Sequence, residues 1–371
     1  MKKSASLLIH EWVTPNGGSE KVTMAISSIF KKEPDLFVLW DEGSELDFSH
    51  QSWISSFSWL PKSVRAAISF LAHLTWKGEY ELVISSSHLF AHGAKVAGSR
   101  KSPKIAYIHT PARYIWEPEL DNRYSSILSK SVQTFSNRIL RKIDLLMLSQ
   151  NTLYIANSTF VQNRIKKHWG RDSIVIHPPV NVEFFNKFFR DTGPEKLTLI
   201  SAGRLVKYKR HDLTIRIAHV MQCNAVIAGA GPEEDFLREL ANDLNVEVDF
   251  RLMPTDEELA ELLSKSSVFL NSGIEDFGIV PIEATATGTP VVGLAQGGLI
   301  DTITNQNGIL VLNQEEFPDA ILKALELNRE IVMQSSKKFS VEEFKKAIVN
   351  FLTREIPSCA DLIKDDLKRN R

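Results

Sequence analysis

The chain has 371 residues, 43% hydrophobic and 24% charged, which excludes a disordered or fibrous protein and is long enough for two domains. Its formal net charge of -1 excludes a nucleic-acid partner recognised by bulk charge. The charge is unevenly divided: residues 1–180 hold 22 Lys and Arg against 15 Asp and Glu, and the remainder holds 22 against 30. Either the first half faces an anionic surface or substrate, or the scatter is chance.

Two cysteines, Cys223 and Cys359, form no CxxC pair, so a reducing compartment is expected. The apolar stretch Leu7-Leu8-Ile9 is cut off by Glu11, so no signal peptide is expected. No run reaches the roughly 18 apolar residues of a membrane span. A cytoplasmic location follows as the expectation. Asn157-Ser158-Thr159 fits a glycosylation sequon but reads better as a helix start.

Leu7-Leu8-Ile9-His10 predicts the first strand. Gly17-Gly18-Ser19-Glu20 then opens a helix through Val22, Ala25, Ile26 and Ile29. Leu36–Leu39 predicts a second strand, 43–62 an irregular aromatic stretch, and Val64–Trp76 an apolar helix with basic flanks. Leu82–Ser85 predicts a strand, followed by a helix carrying His88, His92 and Lys95. Lys104–His109 predicts a strand stopped by Thr110-Pro111. A basic helix over Ser129–Ile143, a strand over Tyr154–Asn157 and a helix over 159–168 follow. Ser173–Ile176 then runs into His177-Pro178-Pro179-Val180, where proline stiffens the chain.

The boundaries expected are a first domain over 1–180, a linker over 181–195, a second domain over 196–352 and a terminal helix over 353–371 that returns to the first domain. The second half restarts the alternation at Leu197–Ile200, continues at Asn224–Ala228 and Val246–Phe250, and resumes at Ser267–Asn271, Pro290–Gly293 and Gly308–Leu312. Helices are expected from about 212, from 233, over 255–264 and over 315–327, with two more near 341–353 and 358–368. Repeated βα units with short apolar strands predict an α/β fold with parallel sheets.

Ligands of such sheets bind beyond the carboxyl ends of the strands, so the turns there are the candidate sites. Gly17-Gly18 lets backbone approach a ligand or simply makes a tight turn. Gly203-Arg204 and the basic run to Lys209 suit a diphosphate, against a solvated loop. Gly229-Ala230-Gly231-Pro232 lacks the third glycine of a dinucleotide fingerprint, and Glu233 and Glu234 would repel pyrophosphate, so a tight turn is the better reading. His109 ends a strand ahead of Arg113, Tyr114 and Trp116, residues fitted to oxyanions and sugar faces. Glu275 and Glu283 bracket Phe277-Gly278-Ile279; they read either as general acid and base or as acceptors for sugar hydroxyls. No Asp-x-Asp and no His/Cys cluster of metal-ligand spacing occurs, so no metal is expected.

Together these motifs resemble retaining glycosyltransferase family 4, of GT-B architecture, over nearly the whole chain. The Glu275-x7-Glu283 pattern is the most specific part, with Gly203-Arg204 and Lys209 as the diphosphate clamp. Ile108-His109-Thr110-Pro111, Arg113-Tyr114-x-Trp116, Ala156-Asn157-Ser158 and His177-Pro178-Pro179-Val180 look like its bacterial mannosyltransferase branch of polysaccharide biosynthesis. The resemblance implies two Rossmann-like domains facing across a cleft and a metal-independent, retaining hexosyltransferase. It implies that Arg204 and Lys209 hold the donor diphosphate, Glu283 the ribose and Glu275 the sugar. Backbone at Phe277, Gly278 and Ile279 would assist, Gly17 and Gly18 would close on the phosphate, and His109 would stand beside the transferred sugar. It also implies a departing phosphate that deprotonates the acceptor.

GDP-mannose is the donor this favours, with a UDP-sugar as the alternative. A GT-B epimerase or a non-catalytic nucleotide-sugar-binding protein are further alternatives. The acceptor would be a saccharide or lipid-linked saccharide, with Arg113, Tyr114 and Trp116 on its side. Helices Val64–Trp76 and 129–143, the latter with Lys130, Arg138, Arg141 and Lys142, would either lie on anionic lipid at the inner membrane face or pack in the core.

Overall fold

A computed structural model describes residues 5–14, 17–43, 47–118 and 127–368, with the side chains of the long helix taken from residue 134 onward. It divides into two compact units, residues 1–179 with 342–371, and residues 180–341. Both are Rossmann-like, with a parallel sheet at the centre.

The strands of the first sheet are β1 (Ser6–His10), β2 (Asp35–Val38), β3 (His50–Gln51), β4 (Leu82–Ser87), β5 (Lys104–Ile108), β6 (Thr152–Ala156) and β7 (Ile174–Val175). Their order is β7-β6-β5-β4-β1-β2-β3, with Leu8 opposite Leu36 on one side and Ile84 on the other. Every residue of β1 and β4 is buried, as expected of strands covered on both faces. Four helices matter for the site: α1 (Gly18–Ser27), α2 (Lys62–His73), α3 (Arg113–Trp116) and α4 (Ile127–Met147).

The second sheet holds β8 (Thr198–Ala202), β9 (Asn224–Ala228), β10 (Val248–Arg251), β11 (Val268–Asn271), β12 (Val291–Leu294) and β13 (Gly308–Val311). Their order is β10-β9-β8-β11-β12-β13. Strand alternation sends Ile200, Phe269 and Val291 into one core and Leu199, Val268, Leu270 and Val292 into the other. Helix α5 (His211–Met221) follows β8, and α6 (Ile279–Ala286) follows β11. In each sheet the chain reverses direction across a central pair, β1/β4 in the first and β8/β11 in the second. Such switch points leave a crevice beyond the strand ends.

Three local expectations change. The stretch expected as a linker instead forms a helix over Val182–Asn186, and Val180, Val182 and Phe185 are buried in the core of the second unit. No helix follows β4: the chain makes only a 3-10 turn at Ala91–Gly93, because the Glu11 carboxylate takes the N–H groups of His88, Leu89 and Ala91. The terminal segment belongs to the first unit from residue 342 rather than 353. There Phe344 meets Tyr107 edge-on at 5.9 Å, and the Lys31 amide donates to the Leu362 carbonyl at 2.9 Å. Among the described residues, no helix is long and apolar enough to cross a membrane.

Candidate functional site

In the second unit the predicted residues gather at the β8/β11 switch point. Strand β8 ends at Ala202, and Gly203 turns the chain into the basic loop. The turn is set by close backbone approach: a Cβ on Gly229 would lie 1.9 Å from the Gly203 carbonyl oxygen. That is why Gly229-Ala230-Gly231 carries glycines without being a nucleotide fingerprint. The loop ends in a 3-10 turn, Lys207–Lys209, which aims Lys209 at Glu275 on the loop after β11, where the two form an ion pair. Both side chains keep less than a fifth of their exposure, 17% and 18%. The Arg204 guanidinium reaches the Tyr208 hydroxyl at 3.4 Å within the same loop.

Glu275 is itself fixed by the chain. The Gly298 amide donates to its carbonyl at 2.9 Å, and a Cβ on Gly298 would fall 2.4 Å from Phe277 Cα. Gly278, at φ 96°, then starts α6, so the N–H groups at Ile279 and beyond lack helical partners and suit an anion. The Phe277 ring is buried against Phe339, so only its backbone can serve a ligand. Glu283 lies one turn into α6 with 5% exposure.

Sequence reasoning missed His211. Its Nε2 faces the Arg204 carbonyl at 3.3 Å and its Nδ1 the Ser201 hydroxyl at 2.8 Å, tying the basic loop to β8. Burial, with Lys209 nearby, lowers its pKa to about 4, so it is neutral at pH 7 and donates through Nε2. The Arg204–Lys209 run gave the signal, since His211 closes it, but a basic count does not say which member is buried.

In the first unit, His109 follows β5 and its Nε2 lies 2.8 Å from the Ser86 hydroxyl. Its amide donates to Ser87 and its carbonyl accepts from Asn157 at 2.9 Å. Burial and the neighbouring His10 and His88 lower its pKa to about 3, so it is a neutral ring. Gly17 caps α1 in extended conformation, and Gly18 is the first helical residue. The Glu20 carboxylate folds back over this start and accepts from the Thr14 amide, the Thr14 hydroxyl and the Ser19 hydroxyl at 2.7–2.8 Å. It places a negative charge where a phosphate was expected.

Arg113 and Tyr114 are half-buried in the four-residue helix α3, the Tyr114 ring packing beside Ala112 and Ile115. Trp116 departs from expectation. Its indole N–H donates to Asp144 at 2.7 Å, His168 stacks on it at 4.9 Å, and the Arg141 guanidinium lies over it at 5.5 Å. The half-buried ring is thus engaged by Asp144, His168 and Arg141 of its own unit. Arg141, on the helix expected either on anionic lipid or packed in the core, also donates to the Ile115 and Trp116 carbonyls. The Lys130 side chain lies outside the described residues.

Among the described residues, no group of three or more His, Cys, Asp and Glu is arranged to hold a metal ion. Residues 183–346 match the family model of glycosyl transferases group 1. All the second-unit candidates, from Gly203 to Glu283, fall within that match, and the first-unit candidates fall outside it. A D-inositol 3-phosphate glycosyltransferase of Streptomyces bingchenggensis is 28% identical over 63% of this chain and 56% of its own length. An uncharacterized glycosyltransferase of Methanocaldococcus jannaschii is 33% identical over 40% of this chain and 41% of its own. The chain thus spans about half the length of the curated relatives it matches.

Among solved structures, HepE of Anabaena in complex with UDP superposes with a TM-score of 0.68 at 17% identity, over 94% of this chain and 100% of that one. The lipopolysaccharide outer core galactosyltransferase WaaB superposes with a TM-score of 0.67 at 15% identity, over 95% and 99%. These likenesses show the fold, which is GT-B.

Proposed function

We propose that the chain transfers a hexose from a nucleoside diphosphate sugar to a hydroxyl of a saccharide or lipid-linked saccharide, with retention and without a metal. The observation that carries this reading is the Lys209–Glu275 pair, which joins the basic loop to the acidic loop at the switch point of the second unit. On binding, the diphosphate takes Lys209 from Glu275, and Arg204 clamps the same oxyanions. Glu275 then accepts from the sugar hydroxyls and Glu283 from the ribose. The resemblance of the His109 to Trp116 segment to mannosyltransferases of polysaccharide assembly supports GDP-mannose as donor. A second reading, a UDP-sugar, is supported by HepE, which was solved with UDP and with UDP-glucose.

The acceptor falls to the first unit, at the inner face of the membrane. There α2 and α4 share one core cluster and leave Leu71, Leu74, Phe135, Ile139 and Leu146 exposed. Arg138 and Lys142 on α4 accompany those apolar residues, the composition that binds anionic lipid.

The deciding experiment is a thermal-shift series with GDP, UDP, GDP-mannose and UDP-glucose. A ligand at 100 times its Kd adds about 2.7 kcal/mol, or roughly 5–10 °C in Tm for a unit of this size. A shift with the GDP compounds supports the first reading and a shift with UDP compounds alone supports the second. No shift with any of them sinks both.

A further inference from the structure

Helix α2 of the first unit has its amphipathic pattern inverted. Its buried residues are Ala66, Ser69, Ala72 and His73, which are small or polar. Val64, Leu71 and Leu74 share the opposite stripe of the helix and are 41–44% exposed. A surface helix that faces only water carries its large apolar residues on the inner side. The segment entering α2 extends the same surface. The Ser52 hydroxyl accepts from the Ile54 amide and caps a 3-10 turn over Trp53–Phe57. Ile54 is buried in one core cluster with Leu39 and Ala72, and it anchors the turn. Trp53, Phe57 and Trp59 remain outside at 43%, 37% and 75% exposure. Trp53 meets Phe57 edge-on at 5.8 Å, and Phe57 meets Trp59 at 6.3 Å, so the three rings form one array.

The charge of this stretch is as uneven as its polarity. About one residue in eight of the chain is acidic, yet residues 49–78 contain no Asp or Glu and hold Lys62, Arg65 and Lys77. The Lys62 ammonium lies over Trp12 at 5.0 Å and pairs with Glu42 at 2.8 Å. The Arg65 guanidinium lies over Trp40 at 4.5 Å and makes no ion pair among the described residues. Stacking on buried aromatic rings thus holds a cation next to the exposed apolar stripe.

We propose that the Trp53–Trp59 turn and the outer stripe of α2 insert into the headgroup region of an anionic membrane. The proposal rests on the lipid-facing reading of α2 and α4 above and names the element that inserts; it is independent of the donor that the second unit binds. A tryptophan ring is apolar with one N–H that stays hydrated, so it settles between headgroups and acyl chains. Cations beside the rings meet lipid phosphates, and a stretch without carboxylates adds no repulsion. With 12 residues, α2 is too short to span a bilayer and lies along its surface. A second copy of the chain is the poorer occupant. In a two-fold contact the patch faces itself, which gathers Lys62, Arg65 and Lys77 of both copies without an acid in the stretch to pair them.

The test is flotation of the full chain with vesicles of phosphatidylglycerol and phosphatidylcholine, against vesicles of phosphatidylcholine alone. The wild type should float with the anionic vesicles and not with the neutral ones. Trp53→Ser/Trp59→Ser should lower the partition coefficient at least about tenfold. Trp59→Ser alone should account for most of that loss with Tm unchanged, because this ring stands outside the core. Arg65→Gln should lower partitioning about fivefold, and raised salt should act in the same direction. Brominated acyl chains should quench tryptophan emission more in the wild type than in Trp53→Phe/Trp59→Phe. Undiminished flotation of both serine variants would overturn insertion of the turn and leave α4 as the lipid surface. A wild type that never floats would overturn both. Equal flotation on neutral vesicles would remove the anionic lipid, and a wild-type dimer that Trp59→Ser dissociates, without flotation, would hand the patch to a second copy.

Discussion

Replacing Lys209 by Met removes the charge while keeping an unbranched stem, and the structure sets two separate magnitudes for it. The first is stability. Lys209 and Glu275 are both largely covered, so breaking the pair costs more than an exposed ion pair, but Glu275 retains enough exposure to be rehydrated. A loss of about 1 kcal/mol is expected, equivalent to roughly 2–4 °C in Tm. The second is chemistry. A positive charge aimed at a departing diphosphate in a partly dry site contributes about 3 kcal/mol to the transition state, close to 100-fold or more in turnover. The assay is nucleotide release by Lys209→Met, alongside its melting curve. Glu275→Gln serves as the reverse probe, since it frees Lys209 and should leave diphosphate affinity intact while weakening sugar discrimination. Turnover within threefold of wild type in a folded Lys209→Met would refute the clamp, whatever the change in Tm.

Other expectations follow from the same geometry. Glu283→Gln should raise the nucleotide Kd about tenfold by calorimetry, as one charge-assisted hydrogen bond of roughly 1.5 kcal/mol is lost; an unchanged Kd removes Glu283 from the ribose. Dialysis against EDTA should leave turnover unchanged, and loss of activity that Mn²⁺ restores would refute metal independence. Acid should destabilise the fold early. His73 and His211 are buried, with pKa values lowered from 6.5 to about 4 mainly by burial. Below pH 6.5 the unfolded chain therefore binds protons that the folded chain refuses, and stability is lost as pH falls towards 4. Each contributes a loss of about 2 kcal/mol by pH 5, and a Tm that is flat from pH 7 to 5 would contradict the burial of these rings. Flotation with anionic vesicles should retain the wild-type chain and release Phe135→Asp/Leu146→Asp; equal flotation of both would dismiss α4 as the lipid surface.

The sequence alone determined most of the elements and named the second-unit candidates. Apolar runs of four or five residues between helical patterns specify buried parallel strands. Glycines at 203 and 278 mark where strands give way to loops and helices, and residue spacing along the chain carries the Glu275–Glu283 pattern. Those are local properties, legible because period and turn chemistry act over a few residues. What only the tertiary structure decided is who meets whom. Lys209 and Glu275 are 66 positions apart and join because β8 and β11 are neighbours. Glu11 and His88 are 77 apart and join because β1 and β4 are. Trp116, read from the sequence as a sugar platform, meets Asp144 and His168 from other elements. The sequence around Glu11 showed only an acid interrupting an apolar run. Its burial, its four donors and its histidine exist only once strand order has brought two switch-point ends together.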